Sequence, residues 1–138
     1  THMADEFDFR DYNCVVNAFH YRSLVLMADI AAVVGRETDC SEYRARGEKV
    51  RASFRSAFFD RAAGLFRDGI GSDHHSFHAN LFALAFDLVP SSQKPAILAW
   101  LKSRGMACGV YPAHYVLETF FDHDEEEHAL GLLLSDGD

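Results

Sequence analysis

The sequence predicts an all-α domain of consecutive αα-hairpins, and three observations carry that prediction. Apolar residues recur at helical spacing in one segment after another, and no segment alternates as a half-buried strand would. Short polar or Gly-containing turns separate most of these segments. Six helices in a row, alternately apolar and amphipathic, make three hairpins. No signature repeats at a fixed period, so tetratricopeptide and HEAT arrays are not supported.

Each helix has its own warrant. Val15, Val16, Phe19, Leu24, Met27, Ala28, Ala31 and Val34 outline a first helix that ends near Gly35, a C-cap residue. It is apolar around most of its circumference and is expected to be largely buried. Asp39 and Glu42 have capping-box spacing for a second helix. That helix places Tyr43, Gly47, Val50, Phe54 and Phe58 on one stripe opposite Arg and Glu. Asp60 to Asp73 holds three glycines without sustained periodicity and reads as a long loop, a class that tends to be functional. A third helix is expected from about His74 to Asp87, and a fourth, capped by Ser92, reaches Arg104 before Gly105. Ala113 to Phe121 forms a fifth. A sixth follows, with acids in its first turn where the helix dipole favours them.

Composition limits the partners. The 138 residues fit one domain, and 12 phenylalanines promise a packed core. A formal charge of −8 argues against nucleic acid, which needs clustered Lys and Arg. No apolar run approaches the length of a membrane span, so no membrane partner is expected. Cys14, Cys40 and Cys108 lack metal-ligand spacing and read as small buried hydrophobes. Residues 1–3, "THM", read as an expression-tag remnant, leaving 4–138 as one α-helical unit.

The residues that could carry chemistry cluster near helix starts. In a helix beginning at His74, His74 and His78 at i and i+4 would share one face, a known metal-ligand spacing. A third ligand is wanting, because Asp73 projects elsewhere and a zinc-protease helix would need Glu where His75 stands. Capping by Ser72 or Asp73 beside solvated histidines is the plain structural alternative. Sugar hydrolysis needs two carboxyl groups; Asp68, Asp73 and Glu118 are present, with nothing in the spacing to pair them. Asp124 to Glu127 reads as a solvated helix cap. Tyr12, Asn13 and His20 surround one helix entrance, and Tyr111, His114 and Tyr115 another. Aromatic faces beside amides and imidazoles suit a carbohydrate, whose C–H face stacks while its hydroxyls hydrogen-bond. No nucleophile elbow or phosphate-cradling glycine motif occurs.

Several segments resemble consecutive parts of bacterial α-L-rhamnosidases, the family-78 glycoside hydrolases. They are "DYNCVVNAFHYRSLVLMADIAAVVG", "FFD…GLFRDG", "SDHHSFHANLFALAFDLVP", "LKSRGMACGVY" and "HYVLETFF". The most specific piece is Ser72, His74, Ser76, His78, Ala79 and Asn80 followed by "LVP"; "RGMAC" and Tyr111 add a second marker. The resemblance implies an (α/α)6 toroid, of which this chain would form about half. It also implies inverting hydrolysis of terminal α-L-rhamnose with neither cofactor nor catalytic metal, in a bacterial periplasmic or extracellular setting. The family's acid motif would precede Tyr12 and its base would follow Asp138, so no catalytic residue is assigned and the chain alone is expected to be inactive. Ser72, His74, His78 and Tyr111 match the family pattern as expected substrate contacts, and Tyr12 and His114 join them from their clusters. Pro112 and His114 depart from the family's Tyr-Gly-Ala-Gln, and His75 lies outside the shared pattern. Partners expected are a rhamnose-containing glycan and, through exposed apolar flanks, further copies of the chain. A stand-alone helical protein- or glycan-binding module and a metal-binding protein built on His74 and His78 are the alternatives.

Overall fold

The computed structural model describes residues 6–135; the "THM" remnant lies outside them. Among the described residues there are six helices and one small ribbon. The helices are α1 (Cys14–Val33), α2 (Glu37–Phe58), α3 (Phe77–Ala85), α4 (Lys94–Arg104), α5 (Val110–Phe121) and α6 (Glu126–Leu134). The ribbon joins β1 (Phe59–Asp60) to β2 (Leu65–Phe66). The three predicted hairpins are present: α1 packs on α2, α3 on α4 and α5 on α6. The third helix also touches α1 and α5, so α1, α3 and α5 form an inner row backed by the other three.

Local chemistry explains the ends. Asn13 caps α1, its Oδ1 accepting the Val16 amide at 3.0 Å. Gly35, at φ +74°, closes the same helix in a Schellman turn, in which Arg36 N–H donates to the Ala31 carbonyl at 2.8 Å. Asp87 takes that left-handed position after α3, with Leu88 N–H donating to Ala83 at 2.9 Å. The core fills with Phe54, Phe66, Phe77 and Phe120, interleaved with Leu81, Leu88, Ile97 and Leu101.

Several expectations need correction. The predicted capping box at Asp39 does not form, because α2 begins two residues earlier at Glu37; Asp39 instead pairs with Arg36 at 2.5 Å. Ser92 does not cap α4, whose N-cap is Gln93 with Pro95 in the first turn. Helix α5 begins at Val110 and takes Tyr111 and Pro112 into its first turn. The loop after α2 carries the β1–β2 ribbon, pairing Phe59 with Phe66; two-residue strands are too short to alternate visibly.

The first helix is not largely buried. Val16, Met27, Ile30 and Val33 are exposed along one stripe, since α2 and α3 cover only the opposite side. No helix of the described residues is long and apolar enough to cross a membrane.

Candidate sugar edge at the helix starts

The largest correction concerns the histidine segment. Helix α3 starts at Phe77, capped by Ser76, whose Oγ accepts the Ala79 amide at 3.1 Å. His74 therefore precedes the helix, and His74 and His78 share no helical face. The spacing argument for a metal pair loses its premise. Among the described residues, no group of three His, Cys, Asp or Glu side chains is placed to hold a metal ion.

What fixes residues 68–76 is Asp68, wholly buried. Its Oδ2 accepts the Asp8 amide at 2.7 Å and faces His74 Nδ1 at 2.7 Å. Its Oδ1 accepts the Ser76 amide at 2.8 Å. Backbone bonds complete the clamp, as Cys14 N–H donates to the Asp68 carbonyl at 2.7 Å and Asp68 N–H to the His74 carbonyl at 3.0 Å. Gly69 bridges Asn13. A Cβ at Gly69 would stand 2.7 Å from the Tyr12 carbonyl oxygen, so this close backbone approach requires glycine.

With Asp68 accepting on both oxygens, Nδ1 of His74 is assigned as the donor of this bond. That leaves Nε2 as the outward-facing nitrogen of a ring whose side chain is 42% exposed. The dyad thus presents a fixed imidazole edge to solvent.

Around it lies a second layer. Ser72 Oγ donates to Asp8 Oδ2 at 2.7 Å and accepts the His74 amide at 3.1 Å. Arg10 reaches the same Asp8 oxygen through Nη2 at 2.8 Å. The Ser72 hydrogen bond, then Arg10, hold Asp8 below its ordinary value of 3.8. Burial pushes the Cys14 thiol well up, and the adjacent Asp68 charge adds to it, leaving an unreactive side chain.

The other sequence candidates are dispersed. Tyr12 is exposed on a groove between α1 and α2 with Asn17, His20 and Lys49, tied to the loop through the Ile70 amide on its carbonyl at 3.1 Å. His78 lines an apolar recess with Phe7, Phe9 and Val16. Tyr111 is fully open, and His114 stacks on Tyr115 with ring centroids 3.8 Å apart. Ser72 is buried, with its hydroxyl proton already given to Asp8. So the structure joins Ser72 and His74 in one network, places Tyr12 beside it, and keeps the contacts of His114 within α5.

Sequence reasoning did not single out Asp8 and weighed Asp68 only as an unpaired candidate carboxylate, while His75 belongs to a separate cluster around Asp60. His75 Nε2 lies 3.2 Å from Asp60 Oδ2, which also accepts from Arg67 Nη2 at 2.7 Å. The Arg67 hydrogen bonds hold the Asp60 carboxyl well below the usual carboxylate range, with the Ala62 and Ala63 amides assisting. Both Asp8 and Asp60 are thus depressed in the folded state. Their stabilisation is present above the ordinary value of 3.8 and is lost as pH falls through it toward the folded values. Thermal midpoints should fall on this acid limb, and Asp60→Asn should flatten it. A limb of unchanged steepness in that variant would show that Asp60 contributes nothing.

The chain as a whole is similar to known proteins. The family model for the bacterial alpha-L-rhamnosidase 6 hairpin glycosidase domain matches residues 2–138. An alpha-L-rhamnosidase of Alteromonas sp. (strain LOR) is 31% identical over 83 residues, 60% of this chain and 8% of that protein. The solved structure of an alpha-L-rhamnosidase from Dictyoglumus thermophilum superposes with a TM-score of 0.74 at 18% identity. That superposition covers 86% of this chain and 14% of the other, and shows a shared fold. The chain therefore spans a small part of the length of either relative.

Proposed function

We propose that this chain, a member of the bacterial α-L-rhamnosidase six-hairpin glycosidase family, supplies part of the sugar-holding wall of an α-L-rhamnosidase. The reaction of the longer protein would be inverting hydrolysis of terminal α-L-rhamnose. One carboxylic acid protonates the leaving oxygen, and a carboxylate activates water on the opposite face. Both groups would come from segments outside these residues, since neither motif occurs in the sequence.

The observation that carries this reading is the Asp68–His74 pair. An imidazole with Nδ1 held at 2.7 Å by a buried carboxylate offers Nε2 as a fixed acceptor for a sugar hydroxyl. Positioning such a group in advance avoids an ordering cost when ligand arrives. Tyr12, exposed beside the same loop, offers the aromatic face that a sugar C–H face requires.

The isolated chain should bind L-rhamnose weakly and release no aglycone from an aryl α-L-rhamnoside. His74→Ala should weaken rhamnose binding about tenfold, the loss of one directed hydrogen bond. Equal affinity in the variant would remove His74 from the site. Turnover by the chain alone would contradict the assignment of acid and base to other segments.

A further inference from the structure

The exposed stripe of α1 has a regular order. Val16, Phe19, Ser23, Leu26, Ile30 and Val33 follow one another at alternating steps of three and four residues, and all six are exposed. That is the seam of a two-stranded coiled coil, in which each side chain enters a hole on the facing helix. Its polar member costs little to cover, because Ser23 Oγ already donates to the Phe19 carbonyl at 2.8 Å. With Met27 and Val34 beside it, the stripe exposes about 600 Å² of apolar surface, the upper end of what a monomer leaves open. Two such faces together would bury about 1,200 Å², enough for a specific interface.

The two ends of the stripe are unlike. At the C-terminal end Val33 and Val34 protrude, 86% and 61% exposed. At the N-terminal end an apolar recess of about 340 Å³ opens beside Val16, lined also by Phe7 and Phe9. One flank carries Arg22 and Asp29, one heptad apart, both exposed and without an ion pair among the described residues. The chain has a formal charge of −8, yet these two charges cancel on this face.

We infer that a second copy of this chain docks on α1, the two helices running antiparallel about a two-fold axis near Leu24 and Val25. Val16 then lies opposite the partner's Val33, Phe19 opposite the partner's Ile30, and Ser23 opposite the partner's Leu26. The protruding end of each helix reaches the recess of the other, and Arg22 faces the partner's Asp29, twice over by symmetry. A parallel pair would leave both recesses empty and set Arg22 against Met27, which carries no charge. A second copy brings knob, recess and both charges into register by symmetry, whereas an unrelated helix would have to match each separately. The surface goes beyond the proposed rhamnose edge and does not draw on it.

Sedimentation equilibrium of the whole chain should show a closed dimer that dissociates on dilution. Val33→Lys, at an open position of the single chain, should weaken the dimer about a hundredfold. Arg22→Asp should weaken it about tenfold, and adding Asp29→Arg should restore it, since the pair is then reversed and not lost. Orientation is read by mixing Val16→Cys chains with Val33→Cys chains under mild oxidation. The mixed disulfide should form faster than either self-linked product, with the parent chain as the control for links through Cys108. A monomer at every concentration, assembly beyond two copies, or no effect of Val33→Lys or Arg22→Asp would each overturn the inference. So would failure of Asp29→Arg to rescue, or preferential self-linkage.

Discussion

Asp68→Ala is expected to cost about 4 kcal/mol of folding stability, the largest loss of any single substitution near the candidate site. The reason is arithmetic on donors. The wholly buried carboxylate receives the Asp8 amide, the Ser76 amide and His74 Nδ1, and its removal takes the acceptor from all three, with the Ser76 amide left buried. Asp68→Asn separates shape from charge. Its amide can accept from one side only, so its donor end meets the Ser76 amide in one orientation and the Asp8 amide in the other. The variant should lose about 2–3 kcal/mol, and His74 should change tautomer so that Nδ1 becomes the acceptor. Urea unfolding reads the first effect as a lower midpoint at constant slope. A variant as stable as the parent chain would show that the Asp68 bonds are not what holds the loop.

Asn80→Leu should cost about 3 kcal/mol for a related reason at a different joint. Asn80 is wholly buried on α3, where Oδ1 accepts the Phe66 amide at 2.8 Å. Its Nδ2 donates to the Phe66 carbonyl at 3.1 Å and the Ser76 carbonyl at 2.9 Å. One side chain thus acts as the missing strand for β2 and as a brace for the turn into α3. Leucine fills the volume and leaves the Phe66 amide and carbonyl without the side chain that pairs them, while the Ser76 carbonyl keeps the residue-80 amide, so the loss isolates hydrogen bonding from packing. Hydrogen exchange should show the Phe66 amide unprotected in Asn80→Leu. Full protection there would contradict the bracing role.

These two residues also show what the sequence could and could not disclose. Helical periodicity made the six helices legible, and Gly35 marked the end of the first, because both signals are local. The start of α3 was not legible. Ser72, Asp73 and Ser76 are all N-cap residues by type, and periodicity alone does not choose among them. The choice is made by tertiary partners: Asp68 holds Asp8 across 60 positions of sequence, and Ser72 holds Asp8 across 64. Those bonds keep residues 72–75 out of the helix, so Ser76 becomes the cap. Asp68 itself carried no sign of burial, since an Asp-Gly pair reads as an ordinary exposed turn. The exposed stripe of α1 escaped for the opposite reason, because an apolar surface on all sides does not tell which side a neighbour covers.

If Asp68 presents His74 as a sugar contact, the imidazole nitrogen resonances of His74 report it most directly. In the free chain the protonated nitrogen should be Nδ1. Added L-rhamnose should shift the Nε2 resonance saturably while Nδ1 keeps its proton, and Asp68→Asn should abolish that response. A His74 ring already protonated on Nε2, or one whose resonances ignore rhamnose at every concentration, would contradict the account.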